Sequence, residues 1–215
     1  MAITVAPYSS EVFNRIPIFG DALPKFDRLN GDEIAKNQMR EVFRRHKVEH
    51  VLGLALVHKH SFLEEGERLT DVRGTSNPLN FAAGRPSVLK FSDDGQQLAP
   101  LEFSLDQQEI DWQDPNMQEF LAEFFQIVKQ MDAVNLFGLC GYPGDGYPGR
   151  VEFSSGRSNV NLTPDEARRY LPDIGFSTRE AAWFYTENLE ESGCHCSCYT
   201  RATQEHGHVT TPCSR

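Results

Sequence analysis

Seven side chains able to ligate a soft or borderline metal fall within positions 194–213: Cys194, His195, Cys196, Cys198, His206, His208 and Cys213. Zinc takes four thiolate or imidazole ligands in a tetrahedron, and short Cys/His-rich tracts supply them with little chain to close. The spacings are Cys-x-Cys and Cys-x3-Cys, not the Cys-x-x-Cys knuckle. Cys194, Cys196 and Cys198 therefore reach one ion only if the backbone bends, which Gly193 and Ser197 permit. The expected site is Zn2+ held by Cys194, Cys196, Cys198 and either His206 or His208. The alternatives are a flexible tail of reduced thiols, and a redox or disulfide role for them.

A second group lies at the end of the apolar run Val51–Val57. His58 and His60 are two apart, so on a strand they share a face, and Glu64, Glu65 and Glu67 follow. Two imidazoles and a carboxylate can bind a second divalent metal, Fe(II), Mn(II) or Zn(II), with positions left open for substrate; Glu64 or Glu67 would be ligand or general base. The plain alternative is a histidine pair capping a strand at the surface. The motif Gly53-x4-His58-x-His60-x3-Glu64 resembles the first metal motif of the cupin family, whose His-x-His and Glu hold a catalytic metal inside a β-barrel. Cupins need a second histidine motif some tens of residues later, and no histidine lies between His60 and His195. The chain is therefore not read as a cupin. The two groups would meet if the tail folded back over the strand end.

Other motifs carry less. The loop Gly141–Gly149 lacks the Gly-Lys-Ser/Thr ending of a phosphate loop, and its prolines remove N–H donors. Cys140, at the end of an apolar strand, reads as core rather than nucleophile.

These residues need elements to hold them. Residues 1–30, with prolines at 7, 17 and 24, read as an extended arm. Helices are expected over Gly31–Lys47, with acids at its start and bases at its end, and over Met117–Met131, opened by Asp114-Pro115. Buried strands are expected at Val51–Val57 and Leu136–Cys140, and shorter ones at Arg68–Val72 and Arg150–Ser154. Asp93-Asp94-Gly95 joins Ser87–Phe91 and Leu98–Leu105 as a hairpin. Arg73–Arg85 reads as a loop. Thr163-Pro164-Asp165-Glu166 starts a helix, and Ser177-Thr-Arg-Glu180 repeats that signature more weakly.

An internal repeat is suggested by Gly53 and Gly138, and by Glu67 and Glu152, each pair 85 positions apart. The fold expected is α+β: a mixed or antiparallel sheet with two main helices, in one domain over 1–191. Possible helix-strand-strand halves span 31–106 and 107–191, followed by a Cys/His-rich segment over 192–215.

The 215 residues carry 21 basic and 31 acidic side chains, a net charge of −10, which argues against nucleic acid. No apolar run approaches the roughly 20 residues that span a bilayer, and no secretory leader is evident, so a reducing, cytoplasmic setting is expected. Two functions follow from the residues. One is a zinc-binding protein without chemistry of its own. The other is a metal-dependent enzyme acting on a small molecule through His58, His60 and a nearby Glu. Substrate, protein partner and oligomeric state are not legible.

Overall fold

A computed structural model describes residues 2–144, 151–163, 166, 169, 177–185, 195–200 and 206–210; for 151–155, 161, 177–179, 195–200 and 206–210 the description is of the backbone. Twelve strands form one mixed sheet in the order β1-β6-β3-β4-β9-β8-β12-β11-β10-β2-β7-β5, curled into a half-barrel. They are β1 (Thr4–Val5), β2 (Leu52–Leu56), β3 (Arg68–Val72), β4 (Thr75–Leu79), β5 (Arg85–Phe91), β6 (Gln97–Ser104), β7 (Phe137–Gly141), β8 (Val151–Ser155), β9 (Ser158–Leu162), β10 (Ser177–Trp183), β11 (His195–Thr200) and β12 (His206–Thr210). β5 also pairs with β6, which carries the hydrogen-bond ladder from one end of that order back to the other. The pairings are antiparallel except β1–β6 and β3–β6.

Most helices pack into the main core, while the first, through Phe13, packs in a second cluster against Val57, Leu69 and Leu101. α5 (Pro115–Gln130) begins where Asp114 accepts the Met117 N–H at 3.0 Å and Pro115 fills the first turn, where a missing N–H costs nothing. The expected helix after Gly31 runs as α3 (Gly31–Glu33), a π-helical stretch (Ile34–Met39) and α4 (Arg40–Arg45). Within the wider π turn the Ala35 carbonyl accepts a bond from Tyr185 Oη at 2.7 Å. Leu52, Leu54 and Leu56 of β2, with Phe137 and Leu139 of β7, pack against Phe43, Phe120 and Phe124 in the main core. Strand β2 is buried along its whole length, as a central strand must be.

Residues 1–30 are not an extended arm. They form β1, α1 (Ser10–Arg15) and α2 (Phe19–Arg28), with Ser9 capping α1. Pro24 lies inside α2 and forfeits one helical bond, yet Phe19, Ala22 and Phe26 of that helix are buried. Burying two phenylalanines gains roughly 3–6 kcal/mol, which offsets the roughly 3 kcal/mol that an interior proline costs.

Two further expectations are corrected. The loop expected over Arg73–Arg85 contains β4, paired along its length with β3 around the turn at Arg73 and Gly74. Ser177 to Glu180 start no helix but belong to β10, which is held between β2 and β11. Thr163 and Glu166 do make the reciprocal bonds of a capping box, at 3.3 and 2.8 Å, but most of the helix expected there lies outside the described residues. Among the described residues, no helix is long and apolar enough to cross a membrane.

Candidate functional site

The sheet face opposite the main core forms a cavity of about 300 Å³. Small residues keep it open. Ala55, Cys140, Ala182 and Phe184 form a separate apolar cluster there, with Val88 and Tyr142 packed against it. Two glycines make the wall thin. A Cβ on Gly53 would lie 2.4 Å from the Phe184 ring, and one on Gly138 would lie 2.5 Å from the Leu89 carbonyl oxygen.

Polar groups enter this apolar space from several strands. Glu102 and Ser104 line it from β6, Asp71 from β3 and Ser76 from β4; His58 and His60 line it just past the end of β2. The alternation that sends Leu52 and Leu54 to the main core turns Ala55 to the cavity, and the chain beyond β2 brings His58 and His60 to it.

The histidine pair is not a surface cap. His58 is 8% exposed, and its ring lies edge-on to His60 at 4.9 Å between centroids and to Phe19 at 5.1 Å. His58 Nδ1 lies 2.7 Å from the Leu56 carbonyl oxygen. A carbonyl only accepts, so Nδ1 is assigned the hydrogen and Nε2 keeps the lone pair in the neutral ring. Between the two histidines, Lys59 points the other way. Its buried ammonium donates to the carbonyls of Asn14 (2.6 Å) and Ile16, which ties the end of α1 to the strand end.

Glu64 and Glu67, the carboxylates expected to join the histidines, are engaged elsewhere. Arg157, in the β8–β9 turn, pairs with Glu67 and reaches Glu64 at 3.5 Å. Glu67 also accepts the Glu64 N–H at 2.6 Å, and the Arg157 guanidinium holds its carboxyl below the usual carboxylate range. This arrangement clasps the loop 62–67 to the β8–β9 turn.

Like Asp71 and Asp106, Glu102 shares the cavity with the histidines. Burial pushes it from its ordinary 4.5 to about 7, and the negative charge of Asp71 on the neighbouring strand adds to the rise. Glu102 keeps some accessible surface and lines the cavity. Burial, followed by the charge of Glu102, pushes the Cys140 thiol up to about 12, and its Sγ lies 3.7 Å from the Leu54 carbonyl. Cys140 is therefore a wall residue and not a thiolate nucleophile at neutral pH.

Among the described residues no group of three or more His, Cys, Asp or Glu converges closely enough to hold a metal ion. His58 and His60 come together without Glu64 or Glu67. Of the expected zinc ligands, Cys194 lies outside the described residues. The backbone sets Cys196 and Cys198 on β11 and His206 and His208 on β12, with Cys198 directly opposite His208 and Thr200 opposite His206.

Comparison of the chain with protein-family models, curated proteins and solved structures finds no match. The site is read from its geometry alone.

Sequence reasoning missed Glu102 and Asp71. A signal was present: Glu102 follows the apolar run Leu98–Leu101 in a hairpin strand, where a carboxylate is costly unless it has a task. Which strand it would face could not be read.

Proposed function

We propose that this protein is an enzyme acting on a small molecule by proton transfer, with Glu102 as general acid and base and His58 as its partner. The carrying observation is a carboxyl raised to about 7 in the same cavity as a buried histidine whose Nδ1 lies 2.7 Å from the Leu56 carbonyl oxygen. A group titrating near the working pH is populated in both forms, so it can give a proton and take one back. The cavity volume, about 300 Å³, fits the lower end of small-molecule sites, roughly 300–1,000 Å³. Glu102→Gln keeps the shape and removes the proton. Incubated with pooled small metabolites and followed by mass spectrometry, the wild type should consume a compound about 100-fold or more faster than this variant. Equal consumption by both proteins would refute the role.

A second reading is favoured by the register of the C-terminal hairpin: zinc held by Cys194, Cys196, Cys198 and His206 or His208. Cys198 opposite His208 is the specific support, because directly opposed residues on neighbouring strands lie about 5 Å apart.

We also infer that the chain is built from two repeated halves, β2–β6 and β7–β11. The register supports this in three places. Across β2 and β7, Gly53 pairs with Cys140 and Ala55 with Gly138, so a shift of 85 positions exchanges the two pairs. β5 pairs with β7 through Val88 and Cys140, and β10 pairs with β2 through Ala182 and Ala55. The hairpins β5–β6 and β10–β11 match at a shift of 94 positions from Arg85 to Val88, including an irregularity between Pro86 and Val88 in one and between Glu180 and Ala182 in the other; a second irregularity, between Val88 and Leu89, has no counterpart.

A further inference from the structure

We propose that the cavity takes an uncharged ring bearing hydroxyl groups along one edge, with that edge on the row formed by Ser76, Asp71 and Ser104 and the apolar side of the ring against Phe184 and Tyr142. The inference rests on the small-molecule reading of the cavity and names the class of compound that fits it.

Strand register sets the row. Asp71 of β3 pairs with Ser76 of β4 on one side and with Ser104 of β6 on the other. Paired residues share a sheet face, and neighbouring strands lie about 5 Å apart. The three side chains therefore stand in line across three strands, and all three line the cavity. Glu102, two before Ser104 on β6, lies on the same face. Asp71 Oδ1 accepts the Gly74 N–H at 3.0 Å, which anchors its carboxylate. Ser104 Oγ accepts the Asp106 N–H at 3.2 Å and keeps its own hydrogen to donate.

A second wall comes from β2, β7 and the residues that follow β7 and β10. It is apolar. Ala55 and Cys140 are small, and the rings of Phe184 and Tyr142 meet edge-on at 5.8 Å between centroids. An occupant must satisfy the polar row and bury apolar surface on this wall. A hydroxyl donates to a carboxylate and both gives and takes a bond with serine. A plain hydrocarbon would displace water from Asp71 and the two serines and put nothing in its place.

Charge narrows the class further. Asp71, Glu102 and Asp106 line the cavity, so an anionic group would enter against carboxyls. The backbone also puts Arg179 on this sheet face: it pairs with Cys198, two from Cys196, which pairs with the lining residue Ala182. The face carries both signs of charge and selects neither a bare cation nor an anion. A volume of about 300 Å³, at the lower end of the roughly 300–1,000 Å³ of small-molecule sites, suits a single ring. Sugars and phenols share this chemistry, with a saturated ring in one and an aromatic ring in the other, and either lays an apolar face on aromatic side chains.

Saturation-transfer NMR on the full chain, with glucose and resorcinol as probes, tests the assignment. At least one probe should receive saturation and titrate, and should bind about tenfold or more tighter than its anionic counterpart, glucose 6-phosphate or 3-hydroxybenzoate. Binding of glucose makes the ligand a sugar, and binding of resorcinol makes it a phenol. Asp71→Asn should weaken the bound probe about tenfold. Neither probe binding, an anion binding as tightly as its neutral counterpart, or an affinity unchanged in Asp71→Asn would each overturn the proposal. The comparison of neutral ring with anion is made on wild type and needs no variant to fold. Binding is read without turnover, so a cavity that takes the ring while Glu102 transfers no proton is told apart from one that takes neither probe.

Discussion

Glu102 makes the chain least stable where it is most useful. Its carboxyl rises from 4.5 to about 7 on folding, so the folded state holds the proton more tightly than the unfolded chain does. The associated stability is present below the unfolded value and is lost as pH climbs through 7; at about 1.4 kcal/mol per unit this amounts to roughly 3 kcal/mol. Glu102→Gln should therefore be more stable than wild type at about pH 8 and nearly equal to it at about pH 4. Denaturant titrations at the two pH values measure this, and a variant no more stable at the higher pH would count against a buried Glu102. Cys140 gives a second check at this scale. With its thiol pushed up to about 12, it should resist alkylation in the folded protein and react once unfolded. Ready modification of the folded chain at Cys140 would contradict its place in the wall.

The two histidines were legible as a pair because residues two apart on a strand share a face. Glu64 and Glu67 were misjudged because sequence proximity says nothing of a distant cation. Arg157 lies 90 positions beyond Glu67 and takes up its carboxylate. Asp71 and Glu102 come from two strands joined only by tertiary pairing, β3 parallel to β6, and nothing local announces that neighbourhood.

Among the elements, those with strong local signals were legible. The buried β2 and β7, the Asp-Gly hairpin between β5 and β6, and α5 with its Asp114-Pro115 start follow from patterning and capping. β4 and β10 did not, since Thr75–Leu79 is polar and contains Pro78, and both strands owe their conformation to neighbours on either side. α2 was hidden by Pro24. The close packing of β2 and β7 against the cavity wall makes a sharp prediction. Gly53→Ala would drive a methyl into the Phe184 ring, and Gly138→Ala into the Leu89 carbonyl. Overpacking of this kind costs about 1–3 kcal/mol, so each variant should melt several degrees below wild type. Melting at the wild-type temperature would mean the wall is looser than described. Tyr185→Phe removes only the bond to the Ala35 carbonyl in the π-helical stretch, and a loss of about 1 kcal/mol is expected in the same assay.

At the scale of the whole molecule, a single curled sheet separates two environments. One face carries large aromatic and aliphatic side chains under the helices. The other carries alanine, glycine and a few polar groups around open space, and beside it a second apolar cluster in which Phe13 and Ile16 pack against Val57, Leu69 and Leu101. The α+β class and the mixed sheet could be expected from patterning, but the curl could not, because it comes from β5 pairing with both β7 and β6. The sequence offset of 85 hinted at two halves; the repeat we propose would extend the second half to Thr200, beyond the boundary at 191.

The cavity matters to function only if its carboxyl behaves as its surroundings dictate. Infrared difference spectroscopy of the full chain, titrated across neutrality, follows the C=O stretch of a protonated buried carboxyl, and Glu102→Gln assigns it. A band that disappears with a midpoint near 7 and is missing from the variant is the expected result. A midpoint near the ordinary 4.5 would contradict the proton-transfer function at its source.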